Sequence, residues 1–182
     1  IRDLANGATR IIDAGGRLVL PGFQDTHIHL QDSGIGFVTG VDLESATTTG
    51  ALQDKLREHA ANTPNDYWVQ GLGFQAGIFN AGNLTREILD EAVPDRPLYM
   101  MANDGHNAAM NSLGLRELNI TGETPHPRNG EIIKGADGEP SGFLYEDAIW
   151  WALGMLPKPS EEQNREGVRY AAAYVNQYGI TG

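Results

Sequence analysis

The sequence predicts an α/β fold. Three observations carry that expectation. From residue 51 onward, stretches with helical spacing alternate with short β-type runs. One of those runs, Leu98-Tyr99-Met100-Met101-Ala102, is apolar throughout, as suits a strand covered on both faces. The chain also holds 23 glycines in 182 residues, about 13 % against a usual value of about 7 %, so turns are frequent and helices short.

Taken in order, Thr9 to Asp13 and Arg17 to Leu20 read as two β segments joined by a turn at Ala14-Gly15-Gly16 and stopped by Pro21-Gly22. Phe23 to Leu30 reads as a further strand, and residues 31 to 50, rich in Gly, Ser and Thr, as a loop. Ala51 to Ala61 places Leu52, Leu56 and Ala60 at helical spacing, with Thr48 or Thr49 as cap. A strand is expected from Tyr67 to Gly73. A helix from Thr85 to Val93 has Glu87 favourably placed in its first turn. Ser112 to Asn119 reads as a short helix after Asn111. Asn129-Gly130 and Asp137-Gly138 are turn dipeptides, and the runs 131–134 and 141–145 between and after them suit a hairpin. Ser160 and Gln163 form a capping box opening a helix to Tyr178, with Val168, Ala171, Ala172 and Val175 on one face. Gly179 ends it, and Ile180-Thr181-Gly182 starts another strand.

Charge and composition narrow the function classes. Asp and Glu outnumber Lys and Arg 24 to 13, a net charge of −11, and the basic residues are scattered singly, so no stripe exists for nucleic acid or an anionic membrane. No apolar run approaches a membrane-spanning length. Ile1-Arg2-Asp3 is neither an initiator methionine nor a signal peptide. The absence of cysteine excludes disulfides, thiolate ligands and a Cys nucleophile, and fits a cytoplasmic protein. No Walker A or Gly-x-Ser-x-Gly run appears, and Gly71-Leu72-Gly73-Phe74-Gln75-Ala76 lacks the third glycine of a dinucleotide fingerprint.

The sharpest chemical feature is Asp25-Thr26-His27-Ile28-His29. On a strand, His27 and His29 would point the same way and offer two imidazoles to one divalent ion. Asp25, on the same side, would accept the second ring N–H and fix a tautomer. His-x-His also occurs by chance on surface strands; the Pro-Gly-Phe turn and the apolar run before it favour the metal reading. His106 lies in a polar loop after the 98–102 strand, where α/β proteins place substrate contacts, and an ordinary turn histidine held by Asp104 or Asn107 is the competing reading. Glu146 ends the 141–145 run and suits either a pocket wall or a helix N-terminus. His59 and His126 are expected to be solvated. Trp68, Phe74, Phe79, Trp150 and Trp151 line a pocket or fill the core.

The segment VLPGFQDTHIHL resembles the first barrel strand of the amidohydrolase superfamily, and IIDAGGRLVL before it resembles the last strands of that family's small β-sandwich domain. RPLYMMANDGHNAAMNSLGL and NGEIIKGADGEPSGFLYEDA resemble one branch, which includes N-substituted formamide deformylase. The resemblance implies a partial TIM barrel, with residues 1–20 a remnant of the β-sandwich and 21–182 an incomplete barrel. Residues 46–143 would be an inserted α/β subdomain forming the substrate pocket. A complete (β/α)₈ barrel needs roughly 200 to 250 residues. The implied chain is therefore an N-terminal fragment, in which an open barrel edge favours a homo-oligomer.

The implied activity is hydrolysis of non-peptide carbon–nitrogen bonds by a metal-activated water, with zinc the expected ion. His27 and His29 would be its ligands, Asp25 their support, and His106 and Glu146 substrate-binding residues. The family's general-base Asp would lie beyond Gly182. Two other classes fit the residues: a catalytically incomplete piece of such an enzyme, and a non-catalytic module that binds a small ligand.

Overall fold

The computed structural model describes residues 4–182 of the chain. Its centre is a sheet of six strands in the order β1-β2-β3-β4-β6-β5. β1 (Val41–Asp42), β2 (Val69–Phe74) and β3 (Leu98–Ala102) are parallel; β4 (Asn107–Met110) runs antiparallel to β3, β6 (Pro140–Glu146) antiparallel to β4, and β5 (Gly130–Lys134) antiparallel to β6. The last two form the expected hairpin. The α/β expectation holds, as a mixed sheet rather than a parallel one.

Period-2 alternation assigns the faces. Leu98, Met100 and Ala102 of β3 enter one core with Phe143 of β6, Leu52 and Leu56 of α2 (Thr49–Asn62), and Leu89 and Ala92 of α3 (Arg86–Ala92). Tyr99 enters the other core with Leu144, Leu115 of α4 (Ser112–Glu117), and Ala148, Ile149 and Ala152 of α5 (Asp147–Leu153). Helices thus cover both faces, and β3 is buried on both sides as its composition demands. Trp68, Phe74 and Phe79 fill these cores, whereas Trp150 is 50 % exposed.

One polar side chain fastens the two layers. Asn111, fully buried, caps α4 by accepting from the Gly114 N–H at 2.8 Å and also accepts from the Leu98 N–H at 2.8 Å. Its amide nitrogen donates to the carbonyls of Val93 and Arg96. Every hydrogen-bonding direction of the amide is used, which is what burial requires. Thr48 caps α2 by accepting from the Ala51 N–H, and the Ser160–Gln163 box on α6 (Glu161–Asn176) forms both of its bonds. Thr85 stands at the N-cap of α3 without a side-chain cap bond.

Outside the sheet the structure corrects several expectations. Residues 31 to 50 are not a loop: α1 (Leu30–Thr39) and β1 lie there. Glycine disguised the helix, and its use is tight packing. A Cβ on Gly34 would meet the Gly167 carbonyl oxygen of α6 at 2.1 Å, and one on Gly167 would meet the Ile35 nitrogen at 2.6 Å. Above this crossing, Phe37 packs on the rings of Tyr170 and Tyr174.

No strand forms among residues 4–20, although a turn at Gly15 and Gly16 does, both with positive φ. Ile11, Ile12, Leu18 and Val19 are 76–82 % exposed. β-branched runs become strands only beside a partner, and none lies next to them among the described residues. The first three residues of the 1–20 segment fall outside the description. The expected strand over Phe23 to Leu30 shrinks to a short stretch: Phe23 and Asp25 exchange backbone bonds with Gly179, Thr181 and Gly182 in a parallel arrangement, and α1 starts at Leu30. Residues 180–182 are therefore the start of a strand-like pairing, as expected.

Candidate functional site

The ends of the sheet are chemically unlike. The loops after β1, β2 and β3, the entry to β4 and the exit from β6 all meet at the carboxyl ends of the parallel strands, where α/β sheets bind ligands. Hydrogen bonds stitch these loops in sequence. Gln75 donates to the Glu44 carbonyl at 2.7 Å, the Asn103 side chain accepts from the Ala76 N–H, and the Asp104 carboxylate accepts from the His106 N–H at 2.9 Å.

At the end of this series the two residues assigned separately to substrate binding come together. His106 Nδ1 lies 2.9 Å from Glu146 Oε2, with side chains 64 % and 58 % exposed. Gly105, at φ +72°, makes the turn that presents the imidazole, and the Glu146 N–H donates to the His106 carbonyl at 3.3 Å. The Glu146 hydrogen bond, then its charge, raises the His106 pKa above 6.5. Glu146 also stands at the N-cap of α5, as expected, without a side-chain cap bond. It sits at φ +52°, ψ −128°, a conformation that costs a non-glycine residue on the order of 1–3 kcal/mol.

His27 and His29 are both exposed, with ring centroids 5.4 Å apart and edge-to-face. They do not get there as strand neighbours. Asp25 accepts from the His27 backbone N–H at 3.0 Å, turning the chain, and His29 becomes the N-cap residue of α1. Asp25 therefore supports the pair through the backbone, not through an imidazole N–H. Two imidazoles bound to one ion at about 2.0–2.1 Å in tetrahedral geometry would hold their centroids roughly 5.2 Å apart, close to the separation seen. Among the described residues, no group of three or more His, Asp or Glu converges on one point. The pair offers two ligands.

Gly36 of α1 lies beside Leu72, and Gly40 beside Gln70, so α1 runs antiparallel to β2 and its His29 end points toward the carboxyl ends of the strands. Both histidine pairs face that end, and no hydrogen bond joins them among the described residues.

Of the remaining histidines, His59 departs from the solvated expectation and His126 meets it. His59 is half-buried against the core side of α2, and desolvation lowers its pKa. His126 is exposed, but its Nδ1 accepts from the Ile132 N–H at 3.1 Å and so closes the start of β5. A lone residue between two prolines gave no sign of that contact.

The fold resembles that of a metal-dependent hydrolase of Pyrococcus horikoshii OT3, whose structure superposes with TM-score 0.58 over 89 % of this chain and 30 % of that one, at 21 % identity. The family follows from sequence. Residues 10–182 match the amidohydrolase family, and the chain belongs to it. Among its relatives, YtcJ of Bacillus subtilis, named as an amidohydrolase, is 31 % identical over 96 % of this chain and 33 % of its own length. N-substituted formamide deformylase of Arthrobacter pascens is 32 % identical over 81 % of this chain and 28 % of its own. The chain spans about a third of the length of the curated relatives it matches. No helix among the described residues is long and apolar enough to cross a membrane.

Proposed function

We propose that the chain forms the first part of a metal-dependent hydrolase acting on carbon–nitrogen bonds of the non-peptide amide type, with a small-molecule substrate. The observation that carries this reading is the His27–His29 pair, with its 5.4 Å ring separation, inside the family-matched stretch. His27 and His29 would hold a divalent ion, zinc by ligand type, and Asp25 would keep the chain bent so that both rings stay on one side. When bound, such an ion supplies Lewis acidity and lowers the pKa of a coordinated water. His106 and Glu146 would contact the substrate at the mouth formed by the carboxyl ends of the strands. The loops of residues 46–143 would give the pocket its shape, and residues 1–20 would belong to a β-sandwich that this chain does not complete.

Further ligands and a general base would be needed to complete such a site. A second reading, a piece without activity of its own, is favoured by the number of ligands: two histidines leave half of a tetrahedral coordination sphere to water.

Calorimetric titration with Zn²⁺ tests the metal reading. Binding should occur near one ion per chain, and the double change His27→Ala, His29→Ala should weaken it by at least about tenfold. Stripping the ion with a chelator should leave the sheet's melting transition unchanged. Binding that the double variant retains in full would end the assignment.

A further inference from the structure

The pairing of His106 with Glu146 has a chemical consequence beyond contact with a substrate. A carboxylate accepting at Nδ1 requires the proton there, so the imidazole loses and gains its other proton at Nε2. Nε2 has no hydrogen-bond partner among the described residues, and the side chain is 64 % exposed. The loop that carries it is held on both sides: the His106 N–H by Asp104, and the His106 carbonyl by the Glu146 N–H. Glu146 keeps its place at a backbone conformation suited to glycine, with β6 registered on β4 and β5 around it. Strain at an exposed polar residue marks a position held for chemistry rather than for stability.

The charges around the ring are one-sided. Asp104 and Glu146 both raise the imidazole's proton affinity, and Asp147 follows next in the chain. Among the described residues, no lysine or arginine pairs with any of these three carboxylates. With Asp104 and Glu146 both beside the one imidazole, a local excess of negative charge remains whether or not the ring is protonated. A neutral acceptor can take the Nε2–H hydrogen bond, while an anion arriving at the same point meets uncompensated repulsion.

We propose that the His106–Glu146 pair is a specificity device, in which Glu146 is a positioning residue that aims Nε2 at a neutral carbonyl-type acceptor and the surrounding carboxylates turn away substrates bearing a carboxylate there. The substrate class is drawn from the hydrolase reading; the geometry of the pair is independent of it.

The test uses the chelator-treated protein, so that no metal contributes, with ¹⁵N-labelled histidine observed through long-range ¹H–¹⁵N correlations. N-benzylformamide and its para-carboxylate analogue serve as matched probes. The His106 Nε2 signal should move saturably with the neutral probe, and the carboxylate analogue should bind about tenfold more weakly, the size of one like-charge contact. In Glu146→Gln the imidazole should show mixed tautomers and the discrimination should fall below about threefold; Glu146→Asp should restore the Nδ1-protonated form in part. Equal or tighter binding of the carboxylate analogue, or an Nε2 signal indifferent to both probes, overturns the proposal. Zinc titration of the same sample keeps the two readings apart. Loss of zinc binding with discrimination intact removes the metal centre alone, and zinc binding with an indifferent His106 removes the specificity device alone.

Discussion

The sheet with its four helices and the pair α1–α6 are stabilised by different means. In the sheet, Phe74, Phe143, Leu98 and Met100 are fully buried between layers, and Asn111 satisfies every backbone group it reaches. Around α1 and α6, the contact is one glycine-to-glycine crossing, with Ile35 and Ala171 buried and Tyr170, Tyr174 and Tyr178 left 42–60 % exposed. The stretch from Ile11 to Phe23 that leads into this pair is exposed along its apolar side chains. The contrast separates a unit that closes its own core from one that does not. It also places the two histidine pairs on opposite sides of that division: His106 and Glu146 on the closed unit, His27 and His29 at the entrance to the open one.

The largest expected effect comes from removing the fastener of the closed unit. Asn111→Ala would strip the α4 cap and leave the Leu98 N–H and the carbonyls of Val93 and Arg96 without partners in a buried place. A lost cap costs about 0.5–2 kcal/mol and each unsatisfied buried group about 1–3, so a loss of roughly 3 kcal/mol or more is expected in denaturant unfolding. A loss below 1 kcal/mol would show that the layers are held elsewhere. Next in size is Gly34→Ala. The added methyl has no room at the Gly167 carbonyl, and overpacking of this kind costs about 1–3 kcal/mol. Hydrogen exchange should then rise along α1 and α6 while β2 and β3 stay protected. Equal loosening of the sheet would show that the two units unfold as one, and would abolish the distinction drawn above.

The same division governs how much was legible from sequence. Local chemistry on the closed unit reads directly: the apolar run 98–102 is β3, the Asn111 and Thr48 caps form, and the Asn-Gly and Asp-Gly dipeptides border a real hairpin. The helix α1 was not legible because its glycines serve a crossing with α6, far along the chain. The β segments at 9–13 and 17–20 carry the right residues and lack a neighbour among the described ones, which no local pattern reveals. The site divides similarly. His27 and His29 are visible as a motif, although the turn at Asp25, not strand alternation, brings them together. The join of His106 to Glu146 spans 40 residues and depends on β4 pairing with β6, and β4 lies mostly in a stretch to which the sequence pattern assigns no element.

The smallest effect is the most direct comparison of a half-buried and an exposed histidine. His59, on α2 against the core, has its folded pKa lowered, first by desolvation. His106, on the exposed loop, has its folded pKa raised, first by the Glu146 hydrogen bond. Linkage gives the two opposite signs. The His106 contribution is fully present below 6.5, the ordinary value, and is lost as pH rises through the folded pKa above it. The His59 contribution is present above 6.5 and is lost as pH falls through the folded pKa below it. An NMR titration should therefore place the two imidazoles on either side of 6.5, with His59 the lower. Glu146→Gln should bring His106 down and leave His59 where it was. If His106 titrates at or below 6.5 in the unaltered protein, the Glu146 pairing does not persist in solution.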